Sequence, residues 1–166
     1  DETIRELRYE SGEKVERRKI ETEINLPFPA YIPESYINSP RERLDFYKRI
    51  FAAKEVKTLE LLEEELFDRF GRLPEEIKNF IYQKYLEITM SDIGVARLYY
   101  QNGNIIIVFD YDFIPHKDVI LSMAKKKLNI KYVPPEKIYI TLSSKTADVS
   151  EMKKVLHVFL ESVKIN

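Results

Sequence analysis

A chain of 166 residues with 44% hydrophobic and 33% charged side chains has the length of one domain, with a real core and a densely charged surface. Its 27 basic and 28 acidic side chains balance to a net charge of −1 and a pI near 6.3, which argues against the basic excess of a free-standing nucleic-acid binder. With no cysteine there are no disulfides and no thiolate metal sites, a composition that fits a reducing cytoplasm, and no run approaches the roughly 20 apolar residues of a membrane-spanning helix.

Residues 1–19 are dense in Glu, Lys and Arg around Gly12, and the first residue is Asp rather than Met. With no apolar run this segment is not expected to be a secretory leader, and it reads as the end of a preceding domain followed by a linker, with residues 20–166 expected to form one domain. Lys19–Leu26 begins in polar–apolar alternation and is expected to form a short strand or extended arm. Pro27, Pro29 and Pro33 then forbid a helix and hold an extended path. The apolar side chains between them need cover. The segment is therefore expected to strap across the domain surface and to bury Phe28, Tyr31 and Ile32 against the helices.

Ser39-Pro40 has the form of an N-cap followed by a first helical position. Leu44, Tyr47, Ile50 and Phe51 supply the apolar stripe of a helix over about 40–53. Thr58 opens a second helix whose buried face is Leu59, Leu62, Leu66 and Phe70, stopped at Gly71. Pro74 begins a third, with Glu75 and Glu76 at its positive end and its last turn near Thr89. Ser91–Gly94 reads as a turn or a brief further helical segment.

The pattern then changes period. Ala96–Tyr100 and Ile105–Phe109 are β-rich runs around Asn102-Gly103, a hairpin signature because both residues tolerate positive φ. A helix over 115–127, short strands over 130–133 and 137–142 separated by Pro134-Pro135, and a terminal helix over 149–163 complete the chain. The predicted class is α+β: an N-terminal extended arm and helical bundle, then a small antiparallel sheet with two further helices.

Catalytic chemistry is hard to place. The four glycines, Gly12, Gly71, Gly94 and Gly103, form neither a phosphate-binding loop nor a dinucleotide fingerprint, so the chain is expected neither to bind nor to hydrolyse ATP by those routes. His116 and His157 lie far apart and lack companion ligands for a metal, and neither Ser143 nor Ser144 has an identifiable base. The chain is therefore expected to have no catalytic, cofactor or metal site. Tyr99-Tyr100 and the aromatic run Phe109–Phe113 could serve as base-stacking platforms, but Asp110 and Asp112 interrupt the second with negative charge, and a packed hairpin is the plainer reading.

The run Leu61–Pro74 is the most informative. Glu64, Glu65 and Asp68 crowd the negative end of a helix, at spacings that make them repelling neighbours. Either Arg69 and Arg72 neutralise a solvated acidic face, or the patch is kept to meet a basic partner surface.

Three motifs carry a family resemblance: Ile24–Ile37, containing Leu26-Pro27-Phe28-Pro29-Ala30-Tyr31-Ile32-Pro33; Arg43–Ile50, containing Arg43-Leu44 and Tyr47-Lys48-Arg49; and Asp68-Arg69-Phe70-Gly71-Arg72-Leu73-Pro74-Glu75-Glu76. Their order and spacing resemble the C-terminal domain of bacterial transcription-repair coupling factors over residues 20–90, with a weaker likeness to the end of the chain. Phe28 stands at a commonly aliphatic position, and the usual Leu before Ile-Gly is absent from Asp92-Ile93-Gly94.

The resemblance implies a cytoplasmic bacterial parent that is an ATP-dependent DNA translocase. That parent uses ATP and Mg and binds RNA polymerase, UvrA and double-stranded DNA in transcription-coupled nucleotide-excision repair. It implies that this domain is a non-enzymatic regulator that packs on the UvrB-like module of the same chain, masks UvrA recruitment and restrains the motor. The expected contact set is Glu64, Glu65, Asp68, Arg69 and Arg72. Glu65 and Asp68 are expected to face outward as the latch onto partner arginines, while Leu62, Leu66 and Phe70 turn inward. The competing reading is a nucleic-acid-binding module, whose best feature is Lys125-Lys126-Lys127 with Lys131.

Overall fold

The computed structural model of the protein describes residues 20–164 apart from 127 and 145. The expectation for residues 1–19 therefore falls outside the described residues, as does Lys127 of the basic run. Three helices come first, α1 (Pro40–Ala52), α2 (Val56–Phe70) and α3 (Glu75–Asp92). The second half holds β2 (Val95–Gln101), β3 (Asn104–Phe109), a 3-10 turn (Tyr111–Phe113), α4 (Lys117–Lys125), β4 (Ile130–Val133), β5 (Lys137–Thr141) and α5 (Val149–Lys164). The α+β class holds, with one change to the sheet. The N-terminal arm contributes β1 (Glu23–Asn25), which pairs parallel with β2, so the five-stranded sheet, in order β1-β2-β3-β5-β4, is mixed rather than wholly antiparallel. Thr22 helps fix that edge by donating its hydroxyl to the Val95 carbonyl at 2.7 Å.

Local chemistry accounts for most boundaries. The Ser39 side chain accepts from the Glu42 N–H and Pro40 fills the first helical position of α1. Gly71, at φ +87°, ends α2 with its N–H donating to the Phe67 carbonyl at 2.9 Å. Asn102 and Gly103, at φ +50° and +79°, turn the β2–β3 hairpin as a two-residue loop requires.

The departures have tertiary causes. Helix α2 starts at Val56, two residues ahead of Thr58, and Pro74 is the N-cap of α3 rather than its first turn. Helix α3 continues past Thr89 because Met90 is fully buried in the core under the sheet. The helix end is then set by the Ile93 and Gly94 N–H groups donating to the Met90 and Ser91 carbonyls. Helix α4 starts at Lys117, after His116, whose Nδ1 accepts from the Asp118 N–H, and ends at Lys125.

Two apolar cores result. The first lies among the strap and α1–α3 and includes Ile32, Ile37, Phe46, Ile50, Leu62, Leu66 and Ile77. The second fills one face of the sheet and includes Leu86, Met90, Leu98, Ile107, Met123, Ile140 and Phe159. Asn79, buried on α3, ties the halves together: its amide donates to the Pro29 carbonyl at 3.1 Å and its oxygen accepts from Lys153 of α5 at 2.9 Å. The Lys153 ammonium also sits 5.1 Å over the Tyr82 ring, and burial pushes the Tyr82 phenol well above its usual range, with Tyr85 adding to the shift.

Candidate protein-interaction site

The proline strap is fixed by the residues of the recognised motifs. Arg43 donates from Nη1 to the Ile37 and Asn38 carbonyls, and the Tyr47 hydroxyl accepts from the Ile32 N–H at 2.7 Å. The Tyr36 hydroxyl lies 2.7 Å from the Gly71 carbonyl and 3.0 Å from that of Leu66, pinning the strap to the end of α2. Phe28 and Ile32 are buried as expected, but Tyr31 is not: its side chain is 49% exposed. Only its backbone docks, donating to the Glu76 carbonyl, because an extended chain turns alternate side chains away from the surface it crosses.

Along α2 and the corner that follows it, the five expected contact residues separate into two groups. Glu65 and Arg69 point towards α1. Arg49 grips Glu65 with Nη1 and Nη2, at 2.5 and 3.0 Å, while Arg69 meets Glu42 at 2.9 Å and Glu65 at 3.7 Å. Both guanidiniums cover the Phe46 ring, at 5.0 and 5.4 Å from its centre, and Arg69 also covers Phe70 at 5.0 Å. Glu65 therefore belongs to a clasp between α1 and α2 and is not an outward-facing latch. Sequence spacing could not show this, because Arg49 approaches from a different helix.

The hydrogen bonds from Arg49, with the charges of Arg49 and Arg69, hold the Glu65 carboxyl below its ordinary pKa despite partial burial. A carboxylate depressed in the folded state stabilises the fold above its unfolded pKa, and that contribution is lost as pH falls through the folded pKa. Glu65→Gln is thus expected to lower the melting temperature at neutral pH, and the gap from the parent sequence is expected to close as the pH is taken through the carboxylate range. A gap that stayed constant in thermal melts across that range would remove the clasp's electrostatic role.

Glu64, Asp68 and Arg72 face the other way. With Glu63 and Phe67 of α2, Leu73 of the α2–α3 corner and Lys78 of α3, they line an open groove of about 550 Å³. Phe67 is 58% exposed. Among the described residues Glu63, Glu64, Asp68 and Arg72 form no ion pair, whereas Lys78 is engaged by Glu75 at 3.3 Å. Three unneutralised carboxylates around an exposed aromatic ring make a surface for a partner offering both cations and apolar contact. Sequence reasoning missed Phe67, though it falls off the Leu59, Leu62, Leu66 and Phe70 stripe. Leu73 and Lys78 were beyond it, because only the α2–α3 corner brings them to the groove.

The other residues weighed from the sequence do not converge. His116 is exposed beside Asp118, and His157 is exposed on α5. Glu151 accepts from the Ser143 hydroxyl and from the Ser143 and Ser144 N–H groups, which anchors the start of α5. Phe109 is buried against Phe159, and Tyr100 packs on the sheet core while Tyr99 belongs to the opposite face. No three His, Asp or Glu side chains among the described residues gather as metal ligands. No described helix is long and apolar enough to cross a membrane.

Comparison with known proteins agrees with this architecture. A crystal structure of the C-terminal domain of transcription-repair coupling factor superposes with a TM-score of 0.77 at 24% identity, covering 90% of this chain and 95% of that one. Among curated sequences, the transcription-repair-coupling factor of Myxococcus xanthus is 28% identical over 142 residues, 83% of this chain but 12% of the relative. That of Haemophilus influenzae is 35% identical over 95 residues, 57% of this chain and 8% of the relative. The chain thus spans about an eighth or less of those relatives. The TRCF domain profile matches residues 26–117, from the strap to the start of α4. That match takes in more than half of the chain, the whole helical bundle and the β2–β3 hairpin, and on it the chain belongs to the TRCF domain family of transcription-repair coupling factors.

Proposed function

We propose that this domain is an autoinhibitory protein-interaction module of a transcription-repair coupling factor. In the resting parent it packs on the UvrB-like module of the same chain, masks the surface that recruits UvrA and restrains the ATP- and Mg-dependent DNA translocase. It does so in the bacterial cytoplasm, in a parent that engages RNA polymerase and double-stranded DNA during transcription-coupled repair. The observation that carries this reading is the α2 groove, where, among the described residues, Glu64 and Asp68 form no ion pair and Phe67 is exposed. Uncompensated carboxylates at the negative end of a helix are locally unfavourable, and a cationic partner surface relieves both effects. The latch moves accordingly from Glu65 with Asp68 to Glu64 with Asp68.

Reversing Glu64 and Asp68 to lysine should leave the fold nearly intact, since both are exposed. The groove is open, so each reversal is expected to weaken binding to the UvrB-like module about tenfold, or roughly 1.4 kcal/mol. In the parent the double reversal should raise UvrA binding and translocase activity above the resting level. Calorimetry with the UvrB-like module gives the affinity directly. A folded double variant with parental affinity and resting activity in the parent would remove the groove from the interface.

A further inference from the structure

Among the described residues, the five-stranded sheet carries helices on one face. Leu98 and Tyr100 of β2, Ile105 and Ile107 of β3 and Ile138 and Ile140 of β5 point into the core that α3, α4 and α5 fill. The alternate positions face the other way. Cross-strand register sets Asn25, Tyr99, Ile106, Tyr139 and Lys131 in one row across the sheet. The adjacent row brings Arg97, Val108 and Lys137 side by side. None of these side chains belongs to either core cluster. Ile106 is nevertheless only 2% exposed, lying between Tyr99 and Tyr139. The two tyrosines are set two strand spacings apart, about 10 Å. The Arg97 guanidinium lies 4.8 Å over the Tyr99 ring.

The charge of this face is opposite to that of the chain. Arg97, Lys131 and Lys137 contribute three cations. Glu23, beside Arg97 in register, is the acid of those two rows, and Arg97 meets it at 3.8 Å. A partner for this face must bring negative charge at intervals and flat π surfaces. An acidic peptide supplies the charge and leaves the rings unused. A duplex supplies phosphates but keeps its base faces stacked inside. A single strand supplies both, with phosphates for Arg97, Lys131 and Lys137 and unstacked bases for the two rings. We infer that the sheet face opposite the helices binds single-stranded nucleic acid, with Tyr99 and Tyr139 as the stacking platform and Arg97, Lys131 and Lys137 as the phosphate contacts. The site is separate from the α2 groove, and neither proposal rests on the other.

Fluorescence anisotropy of the whole chain tests this, with fluorescein-labelled oligothymidylate and oligouridylate of about 12 nucleotides. A duplex of equal length and unlabelled polyglutamate serve as comparators. The single strands are expected to bind with dissociation constants of about 10⁻⁶–10⁻⁴ M, with a log–log salt slope near −2 for three phosphate contacts. The relative affinity of the two oligonucleotides assigns DNA or RNA. Tyr99→Leu and Tyr139→Leu, which keep Ile106 covered but remove the π face, should each lower affinity about fivefold or more, while Tyr99→Phe and Tyr139→Phe retain it. Lys131→Glu and Lys137→Glu should weaken binding and flatten the salt slope. Absence of single-strand binding at low salt would overturn the inference. So would leucine variants that bind like the parent sequence, a duplex bound as tightly as the single strand, or polyglutamate competing as well as an unlabelled single strand.

Discussion

Phe46→Ala is expected to lower the unfolding free energy by about 3–5 kcal/mol, the largest loss for any single substitution considered for the helical half. Phe46 is fully buried on α1 and meets the Phe70 ring edge-on at 6.0 Å. Its loss removes the apolar area of a whole ring and leaves a cavity among α1, α2 and the strap. It also removes the surface on which Arg49 and Arg69 lie, so the guanidiniums that grip Glu65 and Glu42 lose their support. Phe46→Leu, which leaves a smaller void, should lose clearly less. Urea denaturation at unchanged slope measures both. A loss near 1 kcal/mol for Phe46→Ala would mean that the bundle collapses onto the cavity and that the clasp holds without the ring.

Gly94→Ala should be nearly as damaging, at about 2–4 kcal/mol, from a left-handed backbone combined with overpacking. Gly94 has φ +82°, and an added Cβ would fall 2.1 Å from the Phe113 Cβ. Phe113 cannot retreat easily: a Cβ moves only with its backbone, and the turn that carries it is fastened by Asp110 donating its N–H to the Gly94 carbonyl at 2.8 Å. Gly103 provides the control. It has φ +79° with nothing within 4 Å of an added Cβ, so Gly103→Ala should cost only about 1 kcal/mol of backbone strain. Equal melting temperatures for the two variants would show that the Phe113 contact yields.

Features encoded by neighbouring residues were readable from the chain alone. Ser39-Pro40, Gly71 and Asn102-Gly103 each impose a local backbone state, and the helix start, helix stop and hairpin appear where those states require them. Features set by distant partners were not readable. Glu65 looked outward because it falls off the apolar stripe of its own helix beside Glu64 and Asp68, yet Arg49, sixteen residues earlier in the chain, draws it towards α1. Tyr31 was assigned to the core for its ring, whereas the strap docks there through its backbone. The sheet's basic and aromatic row was equally hidden, since Asn25, Tyr99, Ile106, Tyr139 and Lys131 are neighbours only through strand pairing. A chain-wide net charge of −1 averages that face away.

Helix α3 belongs to both cores. Ile77 and Ile81 at its start pack in the helical bundle, Leu86 and Met90 at its end pack under the sheet, and Tyr85 touches both. Neither half owns a complete set of walls without it. The stretch matched by the family profile ends at residue 117, before Met123, Ile138, Ile140, Leu156 and Phe159 have entered the second core. A polypeptide cut there would keep the whole of α3 but lose the α4, β5 and α5 side of the second core, exposing Leu86, Met90, Leu98 and Ile107 to water. The recognisable segment is therefore not an autonomous folding unit. The two halves are expected to form and lose structure in a single cooperative transition, and the less recognisable C-terminal part closes the core that the matched part leaves open.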